Sequence, residues 1–499
     1  MLQVSKLEKS YTTQVLFKDC SFALSRGERL GLVGRNGHGK STLFRMIIGE
    51  ETPDDGLIAV PRHYRVGHLQ QHLDFTGKTI VEEGCLGLPA DEKDFVYKVE
   101  AILFGLGFTE KDLDRPPSDF SGGYQIRLNL AKLLVSEPDL LLLDEPTNYL
   151  DIVSVRWLQR FLQAWRNELM IITHDRQFMD SVTTHTMAIH RQKVRKVTGG
   201  TEKLYDQLLL EEEIHEKTRL NEEKKIKKVE RFIERFRAQA GKAASVQSRV
   251  KQLKRKPKLE ELSNIQSLDF AFSQAAFPTR IMLELSQVSF AYPGGPTLLD
   301  KVDITIDKGD RIGVIGMNGK GKSTLLKLMA RELKPLSGRI TSHDATRVGF
   351  FGQTNIDRLE RSFSVEDEIL SANPNLGRTA VRSICGVMMF SGDDATKKVE
   401  VLSGGERSRT LLGKILAQPS NLLLLDEPTS HLDMDSIEAL VDAIDSYEGA
   451  VVMVTHSEMM LEVLATRLIY FQGGGVGVFD GTYPEFLERI GWDDEQYIY

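Results

Sequence analysis

Apolar residues in this chain fall into short runs separated by glycine-rich and charged turns, and the same succession of runs occurs twice. In the first half, Val4 to Leu7 and Ser21 to Leu24 read as short strands. Leu30 to Val33 reads as a buried strand and Leu43 to Ile48 as a helix. A turn over Thr52 to Gly56 and a strand over Tyr64 to Leu69 follow. An amphipathic helix opens at Ser121 and runs through Leu134. Two further apolar strands come next, Leu140 to Leu143 and one from Leu169 that ends at His174. In the second half, Ile312 to Ile315 and Leu325 to Met329 repeat the buried strand and its helix. Apolar strands alternating with helices predict an α/β fold with a parallel sheet in each half. A chain of 499 residues exceeds one domain and suits two of about 200 residues plus a connector. The expected boundaries are 1–200, 201–280 and 281–499.

Each half carries one stretch with a definite chemical use. Gly34-Arg-Asn-Gly-His-Gly-Lys-Ser-Thr42 and Gly316-Met-Asn-Gly-Lys-Gly-Lys-Ser-Thr324 both read G-x-x-G-x-G-K-S-T. This is a P-loop between a buried strand and a helix. Gly34, Gly37 and Gly39, like Gly316, Gly319 and Gly321, let backbone N–H groups close around phosphate oxygens. Lys40 and Lys322 add positive charge, and Ser41 and Ser323 reach a magnesium ion. Asn36, Thr42, Asn318 and Thr324 complete the two loops. Nucleotide binding follows.

Other candidates surround each loop. Leu140-Leu-Leu-Leu-Asp144-Glu145 is a buried strand that delivers two carboxylates. Asp144 suits magnesium and Glu145 suits a general base acting on water. Ser121-Gly122-Gly123 opens a helix with free N–H groups, a second place for an anion. His174, at the end of a strand in a parallel sheet, faces the ligand crevice. Gln71 is placed to reach the metal and the attacking water, and Tyr11 to stack on a base; each has an ordinary surface or core reading as well. The second half settles the choice. Lys322, Gln353, Ser403, Asp426, Glu427 and His456 each lie 282 residues after Lys40, Gln71, Ser121, Asp144, Glu145 and His174, and Tyr292 lies 281 after Tyr11. Independent surface residues would not keep such register, so the chain is a tandem duplication.

Together these motifs resemble the ATP-binding-cassette (ABC) nucleotide-binding domain: aromatic A-loop, Walker A, Q-loop, signature, Walker B with its glutamate, D-loop and switch histidine. The resemblance implies two cassettes that close head to tail on two ATP molecules. One site would combine Lys40, Ser41, Gln71, Asp144, Glu145 and His174 with Ser403, Gly404 and Gly405. The other would combine Lys322, Ser323, Gln353, Asp426, Glu427 and His456 with Ser121, Gly122 and Gly123. Ser41, Gln71 and Asp144, with Ser323, Gln353 and Asp426, would hold Mg2+. The first half departs from the pattern. Its signature reads Phe-Ser-Gly-Gly-Tyr, and its D-loop has Tyr149 where the second has His431. The two sites are therefore expected to be unequal, with neither one dead.

Charge identifies the connector. The chain carries a net −7, yet residues 215–258 hold 16 Lys and Arg against 5 Glu, so this segment is +11 and the remainder −18. Val229, Phe232, Ile233 and Phe236 form one apolar helical stripe, and Val246, Val250 and Leu253 a second, with small residues between them. Two helices in a basic hairpin are expected, and the one-sided charge points to a phosphate partner. Phe232 to Arg237, Lys242-Ala and Gln247 to Leu253 resemble the linker of ABC-F proteins. These are cytosolic tandem-cassette ATPases without a membrane domain, many of which act on the ribosome. The resemblance implies that Arg231, Arg235, Arg237, Lys242 and Arg249 contact rRNA and peptidyl-tRNA. It also implies a monomeric chain whose cassettes pair internally. A span of 50 residues from Gln71 to Ser121 and from Gln353 to Ser403 leaves no room for more than a short arm. The short hairpin favours a translation factor over an antibiotic-protecting relative. A transporter ATPase and a DNA-associated ATPase are the rival classes. Cys20, Cys85 and Cys385 show no metal spacing and fit a reducing compartment.

Overall fold

The computed structural model describes residues 2–11, 14–69, 75–211, 271–390, 392–430 and 432–492. Two compact units are present, one of residues 1–198 with 268–499 and one of residues 199–267. The second unit is described only to residue 211, as a helix from residue 201. The expected hairpin and its basic residues lie outside the described part.

Within the larger unit the two halves repeat one architecture. In the first, β1 (Leu2–Tyr11) pairs antiparallel with β2 (Gln14–Leu24) and β4 (Asp55–Ala59). A six-stranded sheet follows the order β5-β6-β7-β3-β8-β9: β5 (Val66–His68), β6 (Leu140–Asp144), β7 (Glu168–Ile172), β3 (Arg29–Val33), β8 (His185–His190) and β9 (Lys193–Thr198). All its neighbours are parallel except β8 and β9. The second half reproduces both sheets. The small one runs β11-β10-β13, from β10 (Ile281–Ala291), β11 (Thr297–Asp307) and β13 (Ser337–Ser342). The large one runs β14-β15-β16-β12-β17-β18, from β14 (Val348–Phe351), β15 (Leu422–Asp426), β16 (Ala450–Val454), β12 (Arg311–Gly316), β17 (Arg467–Gln472) and β18 (Gly475–Asp480).

The four leucines before each carboxylate pair show why these strands are apolar throughout. Leu140 and Leu142 belong to the core shared with the antiparallel sheet and the P-loop helix Lys40–Ile48. Leu141 and Leu143 belong to the core on the other face, against the helices Val96–Gly105 and Gly122–Val135. Leu422 to Leu425 divide in the same way. A central strand covered on both faces has no polar side to offer.

Several elements differ from expectation. The two N-terminal strands are 10 and 11 residues long, because register shifts let polar residues sit within them. The expected turn at Thr52 stops short of Gly56, which lies in β4. Residues 272–280, read as connector, pack on the second half: Phe272 and Phe277 are buried in its two cores, and Ser273 N–H donates to the Leu416 carbonyl. Between residue 75 and the signature there are two α-helices, of 6 and 10 residues. Among the described residues no helix is long and apolar enough to cross a membrane.

Candidate functional site

Each P-loop follows the strand at which its parallel sheet changes direction of growth, β3 between β7 and β8, and β12 between β16 and β17. Ligands bind at that point in such sheets. Gly37 and Gly39 have φ of 81° and 92°, Gly319 and Gly321 of 78° and 105°, a left-handed backbone that aims N–H groups inward. A Cβ on Gly37 or Gly319 would meet nothing within 4 Å, so both loops face open space. Lys40 is buried, its Nζ donating to the Gly34 and Arg35 carbonyls at 2.5 and 3.3 Å. Lys322 donates likewise to Gly316 and Met317 at 2.8 and 2.9 Å and to Asn318 Oδ1 at 3.3 Å. Burial holds both ammonium groups below their ordinary pKa.

The carboxylates arrive at the ends of β6 and β15. Ser41 Oγ donates to Asp144 Oδ2 at 2.7 Å, and Ser323 bonds Asp426 in the same manner. This hydroxyl–carboxylate pair fits a hard divalent cation that takes its remaining oxygens from phosphate and water. Glu145 and Glu427 have φ of 49° and 52°, unusual for residues with a side chain, and each precedes a proline. That bend aims each carboxylate at the histidine ending the next strand. His174 Nε2 lies 3.3 Å from Glu145 Oε1, and His456 Nε2 lies 3.3 Å from Glu427 Oε1. Both Oε1 atoms are buried and otherwise lack a hydrogen-bond partner. Burial first, and the neighbouring Asp144 second, push Glu145 up to about 8, and Glu427 rises for the same reasons. Burial and Lys40 push His174 down to about 4, and His456 falls likewise. Between about pH 4 and 8 each pair is thus a protonated carboxyl beside a neutral imidazole.

This proton has a measurable consequence. An unfolded glutamate loses its proton near 4.5, whereas folded Glu145 keeps it to about 8. Stability therefore falls as pH rises through that window. Glu145→Gln/Glu427→Gln removes the dependence. The nucleotide-free variant should melt roughly 2–5 °C above wild type near pH 8, with the gap closing toward pH 5. The histidines contribute an opposite slope between about 4 and 6.5, common to both proteins. Scanning calorimetry at the two ends of the range reads the difference.

A cavity of about 640 Å3 joins residues of both halves: Glu145 and His174 from the first, with Tyr292, Lys322, Ser323, Asp426, Glu427 and His456 from the second. Tyr292 Oη lies 3.4 Å from Thr324 Oγ1, and Tyr11 bonds Thr42 in the equivalent place. Tyr11 also donates to Glu51, which Lys9 holds at 3.1 Å; the matching position in the second half is Leu333, so the two tyrosines are fixed differently. Ser121, Gly122, Gly123, Ser403, Gly404 and Gly405 start their helices as expected but do not line the cavity. A Cβ on Gly122, Gly123 or Gly404 would meet nothing within 4 Å. Gln353 opens a 3-10 turn, Gln353–Arg358, just after β14. Gln71 lies outside the described residues, as do the side chain of Gln353 and all of His431.

The departure in the first signature has a structural effect. Ser403 and Glu406 form a reciprocal capping box, Ser403 N–H to Glu406 Oε2 at 2.8 Å. Tyr124 occupies the corresponding place in the first half. There Ser121 makes no cap, and Tyr124 packs on Phe108 and under Arg127.

Sequence reasoning missed Arg127 and passed over Asp151. Arg127 is buried on the signature helix. It donates to the Tyr149 and Leu106 carbonyls at 2.9 Å each and to Asp151 Oδ2 at 3.2 Å. The same oxygen of Asp151 accepts the N–H of Asn318, in the P-loop of the other half, at 3.1 Å. A signal was present: Arg409 and Asp433 recur at the 282-residue offset.

Comparison with known proteins agrees with this geometry. A family profile described as "ABC transporter" matches residues 17–148 and 299–430, and a second profile of the same description matches 187–272. The ATP-binding protein YbiT of Escherichia coli O157:H7 is 33% identical over 98% of this chain and 100% of its own length. Human ATP-binding cassette sub-family F member 3 is 31% identical over 97% of this chain and 73% of its own. In fold, the chain is similar to an archaeal ribosome recycling factor, aABCE1, solved with ribosomal stalk protein aP1. The TM-score is 0.67 at 18% identity, covering 97% of this chain and 91% of that one. With two ATP-binding cassettes in one polypeptide and relatives 31–33% identical along almost all of its length, the chain belongs to the ABC-F family of tandem-cassette ATP-binding proteins.

Proposed function

We propose that the chain hydrolyses ATP at two composite sites and acts on the ribosome in its ATP-closed state, with the connector touching peptidyl-tRNA and rRNA. The observation that carries the ATPase reading is the glutamate–histidine pair at 3.3 Å beside a P-loop, built identically in both halves. Glu145 and Glu427 accept the proton of the attacking water. His174 and His456, kept neutral by burial, hydrogen-bond the terminal phosphate. Lys40 and Lys322 turn from loop carbonyls to phosphate oxygens. Ser41 with Asp144, and Ser323 with Asp426, would hold Mg2+, joined by Gln71 and Gln353; the ion supplies charge stabilisation at the phosphates. Ser121, Gly122 and Gly123 meet the second P-loop, and Ser403, Gly404 and Gly405 the first, once the halves close on nucleotide. ATP bridging both halves favours the closed arrangement, and hydrolysis removes the bridge.

The ribosomal reading rests on the +11 segment at 215–258 and on the recycling factor whose fold this chain shares. Arg231, Arg235, Arg237, Lys242 and Arg249 would contact RNA phosphate in the cytoplasm. Sedimentation of Glu145→Gln/Glu427→Gln protein with ribosomes through a sucrose cushion tests it. Co-sedimentation is expected with ATP and not without, weakening as salt rises. Absence from the ribosomal pellet at moderate salt with ATP sinks the ribosomal reading and leaves the ATPase reading standing.

A further inference from the structure

Two ion pairs, whose members do not themselves line the nucleotide cavity, cross between the halves. Arg156, on the helix Ile152–Gln163, places Nε 3.0 Å from Glu458 Oε1 at the start of the helix Glu458–Leu464. Arg176, opening the helix Arg176–Val182, pairs with Glu438 on the helix Met434–Asp445. Under the 282-residue repeat, Arg156 corresponds to Glu438 and Arg176 to Glu458. The two contacts are therefore one contact seen from each side of a pseudo-twofold axis, as in a symmetric dimer. The residue types break that symmetry. The first half supplies arginine at both places and the second supplies glutamate at both.

A third pair has the same polarity. Arg35 in the first P-loop lies 3.6 Å from Asp435, although the matching residues, Met317 and Val153, carry no charge. The surroundings hold the arrangement in place. Tyr483 Oη donates to Glu458 Oε1 at 2.9 Å, and Gln177 reaches Glu462 at 3.5 Å beside it. Ile152 and Val153, next to Arg156, pack against the hydrophobic core of the second half. The charged contacts thus frame an apolar one.

We propose that these mirrored Arg–Glu pairs key the halves to each other, so that the first cassette pairs with the second and not with its like in another copy of the chain. A P-loop and a signature occur in both cassettes, so ATP alone would accept first with first or second with second. Such pairing would set Arg156 against Arg176 of the other copy, or Glu438 against Glu458. Like charges at a half-buried contact oppose association and remove that option.

Cross-linking of the full-length chain reads this without nucleotide or ribosome, so its outcome is separate from that of the proposed function. Gln177→Cys and Glu462→Cys, placed in a Cys85→Ser chain, are joined by a short bis-maleimide. With native charges the product is expected within one chain. Arg156→Glu/Arg176→Glu should cut its yield roughly tenfold at low salt, and exchanging all four residues (R156E/R176E/E438R/E458R) should restore it. Mixing the R156E/R176E chain with an E438R/E458R chain should give between-chain products that neither gives alone. Unchanged yield after the double reversal overturns the proposal. So does failure of the fourfold exchange to restore the yield in a chain that still melts cooperatively.

Discussion

Replacing Glu145 and Glu427 with glutamine is expected to lower ATP turnover by about 10²–10⁴-fold while ATP binding stays within a few-fold of wild type. Between about pH 4 and 8, Glu145 is a neutral carboxyl beside neutral His174, so glutamine reproduces its size and charge. The fold, the P-loop and the seryl–aspartyl pair are untouched. Only the capacity to take a proton from water is lost. Wild-type kcat/KM should also rise with pH toward about 8, where the free base becomes available, and the residual activity of the variant should lack that rise. Phosphate release across pH, with nucleotide binding followed by fluorescence, checks both parts. Turnover within threefold of wild type would remove these glutamates from the chemistry. The single variants then report on the inequality suggested by Tyr124, Tyr149 and Glu51, which the second half replaces with Glu406, His431 and Leu333.

The parts legible in the sequence were those whose chemistry demands both a residue type and a strand end. A P-loop, a carboxylate pair after four leucines and a histidine after an apolar run can be read singly, and the 282-residue register turns each into a pair. The parts not legible depend on who meets whom in space. Nothing local distinguishes Arg127 from an exposed helical arginine. Its burial follows from Gly107, whose φ of 88° and missing Cβ leave room; a Cβ there would stand 2.7 Å from Arg127 Nη1. The left-handed backbone at Glu145 precedes a proline that would ordinarily favour an extended residue, so tertiary context overrides local preference. The signature segments announce helix starts in the sequence, whereas their absence from the cavity lining depends on how the two domains meet and has no local signal.

Arg127→Met is expected to destabilise the protein by about 3–5 kcal/mol, the cost of leaving one member of a buried ion pair without its partner. Both members are essentially inaccessible, at 1% and 0% exposure. Burial on its own would raise the Asp151 carboxyl; the Arg127 guanidinium and the N–H groups of Ser154 and Asn318 overcome it and hold the group below its ordinary range. Removing the arginine also takes its N–H groups from the Leu106 and Tyr149 carbonyls, the first of them buried. Asp151→Asn in the same chain should recover a large part of the loss, because the unpaired charge disappears while the amide oxygen still accepts from Asn318. A pure packing effect of Arg127 would show no such recovery, so the coupling measured in a double-mutant cycle decides between the two. The site is also where one cassette's signature helix reaches the other's P-loop. Arg127→Met should therefore weaken ATP binding more in the second P-loop than in the first, since Asn318 loses a fixed acceptor and Lys322 stands four residues on. Equal loss at both P-loops, with stability within about 1 kcal/mol of wild type, would show that the pair neither holds the fold nor joins the cassettes.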